Sequence, residues 1–215
     1  RKPSSLQLPN TAAVLENGEA SAPFISILRD TTMRGVISFQ MTYGLLFGTV
    51  LAFVGIWMRT AIVSSVVQVG IVLSVRSLLN GTLALPFGIL ADRFNRVVLV
   101  TGGMLMMAIG TIVIPWMESF GSILVLFMVI GVFESMAIPS AAAMTVETGR
   151  RLGMGSVMGV INMAMSLGLV IGSVLGGVVE GYLGIIAVFR WAAVLGLIGV
   201  IVFNLFMIRR QRLSD

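Results

Sequence analysis

The chain contains no cysteine and no histidine, and its only lysine is Lys2. Those absences exclude disulfides, thiol chemistry, haem or iron–sulfur ligation through cysteine, histidine-based zinc sites, and Ser-His or Cys-His nucleophilic catalysis. An enzyme built on a Ser-Lys centre has only Lys2 to use, far from any apolar segment, and no pair of carboxylates falls inside the apolar runs. The composition therefore predicts a protein that is not an enzyme, has no catalytic residues, and needs no metal and no cofactor. Charge is scarce as well: 11% of residues are charged and 57% are hydrophobic, where soluble domains carry about 25% charged residues.

What is abundant is apolar length. Mean hydropathy is +1.04, and several uncharged runs reach the ~20 residues that cross a hydrocarbon core at ~1.5 Å per residue. Six spans fit best, near residues 35–57, 64–91, 97–117, 121–146, 154–179 and 185–208. The expected class is an all-α membrane protein embedded in a lipid bilayer, divided into a linker over 1–34, a six-helix transmembrane bundle over 35–208 and a tail over 209–215. The linker has the Ser, Pro, Asn and Glu mixture of a solvated segment. It begins with Arg1 and lacks the basic, apolar and small-residue order of a signal peptide, so the sequence reads as a piece of a longer one.

Net charge is +5, but the basic residues stand singly at the ends of apolar runs and form no stripe, so nucleic acid is not an expected partner. They report orientation instead. With the linker cytoplasmic, eleven Lys and Arg residues fall inside and only Arg59 and Arg190 fall outside, which predicts cytoplasmic termini in a cell membrane. Trp57, Trp116, Tyr182 and Trp191 lie near predicted span ends, where amphipathic rings favour the headgroup region.

One short turn carries more charge than topology requires. In "GILADRFNRVV", over residues 88–98, Asp92, Arg93 and Arg96 sit between two spans. A carboxylate beside two guanidiniums suggests an ion-pair network between helix ends. Gly88, one turn before Asp92, would let helices approach closely, and Asn95 is a residue type that tolerates a left-handed turn.

This pattern resembles the major facilitator superfamily, whose signature loop runs GxLADRxGR after the second helix of each six-helix half. Gly88, Leu90, Ala91, Asp92, Arg93 and Arg96 fill it, with Asn95 at the second glycine and Val97 at the last basic position. "GLVIGSVLGG", over residues 168–177, is similar to the family's GxxxGPxxGG pattern through Gly168, Gly172, Gly176 and Gly177, with Ser173 at the proline. That pattern is associated with drug:proton antiporters, although a small-xxx-small packing face explains the glycines without transport. The turn with Glu147, Arg150 and Arg151 resembles the family's other charged turn. The resemblance implies a C-terminal six-helix half, built from two inverted three-helix repeats, of a twelve-helix secondary transporter. It further implies alternating access, an N-terminal six-helix half as partner, and turns that act as cytoplasmic latches.

Two ionisable residues lie within spans, Arg76 in the second and Glu134 in the fourth, both roughly 15–20 Å from the outer surface. A central charge costs about 2.5–3.5 kcal/mol to insert, so each should face a partner or a water-filled cavity. Glu134 is the group near mid-membrane able to carry a coupling proton. Arg76 either binds an anionic part of a small-molecule substrate or pairs with Glu134, and Asn80 shares its face one turn away. Gln40 with Tyr43 on the first span, and Asn162 with Ser166 on the fifth, are further lining candidates at helical spacing. Two other readings stay open from these residues: a self-contained six-helix protein that dimerises to form the pathway, and a non-transporting scaffold or receptor in which Arg76 and Glu134 are merely paired.

Overall fold

The computed structural model describes residues 24–214; the N-terminal part of the predicted linker, the last residue of the predicted tail and the side chains of Phe24, Asp92 and residues 211–214 lie outside what it describes. A short helix α1 (Phe24–Arg29) leads into α2 (Thr31–Ala61), α3 (Val66–Arg93), α4 (Arg96–Val113, extended by one 3-10 turn to Trp116), α5 (Phe120–Leu152), α6 (Met154–Leu183) and α7 (Ile185–Ser214). From α2 onward, all six are long and apolar enough to cross a membrane. The predicted spans are present, but most helices run past the predicted limits, chiefly at their C-terminal ends, while polar N-caps fix several of the starts. Asp30 starts α2 by accepting from Met33 N at 3.0 Å, four residues before the predicted span. Ser65 and Gln68 close a capping box on α3, and Ser119 and Ser122 do the same on α5.

Two of the one-residue connections are glycines. Gly153 (φ 91°) separates α5 from α6 and Gly184 (φ 80°) separates α6 from α7, a region of backbone space open to glycine at little cost. Asn95, by contrast, is not left-handed. It has φ −66° and accepts from Val97 N at 2.9 Å, so it is the N-cap of α4.

The packing follows a two-fold pattern. α2 packs chiefly on α6, and α3 packs chiefly on α5; α2 also packs on α7 as α5 does on α4. Exchanging α2–α4 with α5–α7 maps one set of contacts onto the other, and successive membrane crossings make the two triplets run in opposite directions. This is a half bundle of two inverted three-helix repeats. α2 is the most enclosed helix and α3 the least, with 61% and 11% of their apolar windows buried.

Glycine sets the closest approach. Cβ atoms on Gly44, Gly168 or Gly172 would overlap the carbonyl oxygens of Met165, Met41 and Leu45, and one on Gly48 would lie 2.5 Å from that of Leu169. α2 and α6 therefore meet backbone to backbone, as small residues allow in membranes. Gly176 joins them, 2.7 Å by its added Cβ from the Phe53 ring, whereas Gly177 is exposed and would touch that ring only at 4.0 Å. Gly168, Gly172 and Gly176 thus face α2, whereas Gly177 is turned about 100° from Gly176 and faces outward. Gly88 is likewise no forced glycine, since its Cβ would meet Pro139 at an ordinary 4.0 Å.

Thr49 crosses the α2–α6 seam, donating to Leu45 O at 2.9 Å and Gly172 O at 3.1 Å. Valine at position 49 should lower thermal stability modestly, by about 0.6 kcal/mol, the mean for such bonds within membranes. Thermal unfolding of the purified protein reads that change. Trp57 differs from its predicted role at the membrane surface: it is 3% exposed and packs edge-on against Phe189, centroids 6.4 Å apart. Trp116 and Tyr182 are exposed as a surface belt requires.

Candidate functional site

Three helices deliver one residue each to a buried point in the bundle. Glu134 on α5 is 2% exposed and Arg76 on α3 is 6% exposed. Glu134 Oε1 accepts from Arg76 Nη2 at 2.6 Å and from the Tyr43 hydroxyl, on α2, at 2.6 Å. The two intramembrane charges are thus partners in the structure, and Tyr43 donates to the same carboxylate oxygen as Arg76. A charge-assisted bond to each donor, in a site shielded from water, is stronger than its surface counterpart.

The local sequence explains why these groups meet. Gly131 precedes Glu134 by one turn, and a Cβ there would lie 2.9 Å from Arg76 O. Only a missing side chain lets α3 come close enough for the short Arg76–Glu134 contact. On α2, Phe39, Tyr43 and Phe47 follow at four-residue intervals and stack, with centroids 6.1 and 6.0 Å apart. The Phe47 ring also lies 4.9 Å from the Arg76 guanidinium carbon, within cation–π range. Arg76 Nε is buried with no acceptor among the described residues. It adjoins a cavity of ≈ 10 Å³ bordered by Thr111 and apolar side chains, about the size of a single water.

Other predicted lining residues are less central. Gln40 and Asn80 are half-buried, one turn from Tyr43 and Arg76 respectively, while Asn162 and Ser166 are exposed on α6 and stand outside the buried cluster.

A second charge cluster lies on the face that carries Arg93, Arg96, Arg150 and Arg210. Glu147 pairs with Arg96 at 3.3 Å and with Arg210 at 3.8 Å, joining the ends of α4, α5 and α7. Arg151 pairs with Asp30 at 3.0 Å, so one carboxylate caps α2 through Oδ1 and ties it to α5 through Oδ2. Arg93 and Arg150 are exposed, and the predicted part of Asp92 lies outside the described side chains. With Glu147 60% exposed, each of its pairs is worth at most about 1 kcal/mol, the range of contacts that form and break readily.

Sequence reasoning missed Gly131, Phe47, Asp30 and Arg210. Asp30 had a readable signal, an aspartate just before an apolar run, the usual N-cap position. Residues 36–215 match the family model described as Major Facilitator Superfamily. Among curated proteins, none matches the chain.

Proposed function

Given that the chain belongs to the major facilitator superfamily and serves the transport of a small molecule across a membrane, we propose that Glu134 carries a coupling proton and Arg76 exchanges between Glu134 and substrate. The observation that carries this reading is the buried trio itself: one carboxylate oxygen bound at 2.6 Å by both Arg76 and Tyr43. Ionised, Glu134 holds α2, α3 and α5 together. Protonated, it loses its charge while arginine keeps its own, since guanidinium does not deprotonate in proteins. The attraction between α3 and α5 then weakens, and Arg76 is released toward an anionic or polar group of the substrate. Gln40 and Asn80, half-buried one turn away, extend the lining, while Asn162 is exposed on α6 and would face a partner half.

In this reading the bundle rocks against an N-terminal six-helix half in an alternating-access cycle. α3 supports such a neighbour, because Leu78, Leu85 and Ile89 are 65%, 80% and 65% exposed along it. The Glu147–Arg96–Arg210 and Arg151–Asp30 pairs act as latches, with Gly88, Asp92, Arg93 and Arg150 in the same turns. The arginine-bearing face is cytoplasmic in a cell membrane, supported by the excess of basic residues there. The Gly168, Gly172 and Gly176 run, like that of the family's antiporters, supports efflux in exchange for protons.

Glutamine at position 134 tests the proposal, since it keeps a carbonyl acceptor for both donors and removes only the titratable charge. In proteoliposomes containing the full-length protein, Glu134→Gln should abolish proton-driven movement of substrate and leave substrate counterflow intact. Proton-coupled transport at an unchanged rate would sink the idea.

A further inference from the structure

Where α4 begins and α5 ends, the arginine-bearing face opens into a groove of ≈ 430 Å³ lined by Arg96, Ala143, Val146, Glu147 and Arg150. Its lining is divided along its length. Ala143 and Val146 form an apolar floor on α5, and Glu147 and Arg150 follow on the same helical face toward the end of the helix. From Ala143 to Arg150 is seven residues, about 10 Å along the axis. The lining holds two guanidiniums against one carboxylate, and that carboxylate is already engaged by Arg96 and by Arg210 at 3.8 Å. Within this lining, guanidiniums therefore outnumber carboxylates beside an apolar track.

We propose that this groove binds an anionic phospholipid, its phosphate held by Arg96 and Arg150 and its acyl chain laid over Val146 and Ala143. A free phosphate would satisfy the guanidiniums but leave the apolar floor uncovered; a lipid satisfies both. Basic pockets between transmembrane helices suit such headgroups, each nearby arginine contributing about fivefold in affinity. The bound lipid would bridge α4 and α5 beside Glu147. The phosphate would compete with the Glu147 carboxylate for Arg96, so anionic lipid would bias the Arg96–Glu147 pair toward opening. This site is separate from the Arg76–Glu134 trio, and its occupancy does not depend on which proton carrier the protein uses.

The test is a titration of the full-length protein in neutral detergent with short-chain phosphatidylglycerol, phosphatidylcholine or inorganic phosphate, read by the shift in unfolding temperature. Phosphatidylglycerol should stabilise the wild type, and Arg96→Gln/Arg150→Gln should need about twenty-fivefold more of it, two arginines at about fivefold each. Val146→Trp keeps every charge and fills the floor, so it should lose the phosphatidylglycerol response even if the double variant does not fold. The proposal is overturned if phosphatidylcholine or inorganic phosphate stabilises as well as phosphatidylglycerol. It is also overturned if Val146→Trp responds like the wild type.

Discussion

Leucine in place of Glu134 is expected to destabilise the protein by about 3–5 kcal/mol, and methionine in place of Arg76 by less, although the two residues form one ion pair at 2.6 Å. The asymmetry comes from what each survivor can do. A carboxylate left alone in a dry site escapes its unpaired charge by binding a proton, whereas a guanidinium remains charged. Arg76 is 6% exposed, and without Glu134 it keeps neutral neighbours such as the Phe47 ring at 4.9 Å but loses its ion-pair partner. The double variant Glu134→Leu/Arg76→Met removes both charges and should recover most of the stability lost by Glu134→Leu alone. Thermal unfolding of the purified full-length variants gives the cycle. Transport separates the remaining possibilities: a double variant that folds but moves no substrate assigns the pair to function, and one that transports normally reduces it to a packing device. Equal destabilisation by the two single variants would contradict the assumption that Glu134 can protonate in place.

The pair was legible in the sequence because it breaks a rule that apolar spans otherwise obey. Arg76 and Glu134 are charges at mid-span, and insertion energetics alone demand a partner or a water-filled cavity for each, so pairing was one of the readings open. Helix number was legible for a similar reason, since apolar runs near 20 residues admit few other readings. Helix limits were not, because hydropathy measures the thickness of hydrocarbon while helix starts are fixed by caps such as Asp30, Ser65 and Ser119. The glycines show a deeper limit. The chain has 25 of them, and nothing local distinguishes Gly131, which lets Arg76 approach Glu134, from Gly70 or Gly102, which have open space around them. That distinction depends on which helix arrives opposite, and helix pairing is a property of the whole bundle. Trp57 fails as a surface residue on the same ground: its position near a span end is visible in sequence, but the Phe189 ring that buries it arrives from α7.

Gly172→Leu should have the largest effect of any single substitution on the α2–α6 seam, a loss above about 4 kcal/mol that prevents recovery of folded protein. A Cβ at Gly172 overlaps the Leu45 carbonyl oxygen, and that atom belongs to a helix backbone fixed on both sides by its own ladder. A flexible side chain could swing away; this carbonyl cannot. Relief requires α2 and α6 to separate along their whole contact, where Gly44, Gly48 and Gly168 make equally close approaches and Thr49 donates across the gap to Gly172 O at 3.1 Å. Packing enthalpy is the main attraction between helices in lipid, so a widened seam has no hydrophobic effect to fall back on. Gly177 supplies the control five residues on. It is exposed, its added Cβ would meet Phe53 at 4.0 Å, and Gly177→Ala should be neutral or stabilising by up to about 1 kcal/mol through helix propensity. The yield of monodisperse full-length protein after detergent extraction, together with its unfolding temperature, distinguishes the two. Tolerance of leucine at position 172 would mean that α2 and α6 are not in backbone contact in the membrane. In that event Tyr43, carried on α2, would have no fixed position from which to reach Glu134.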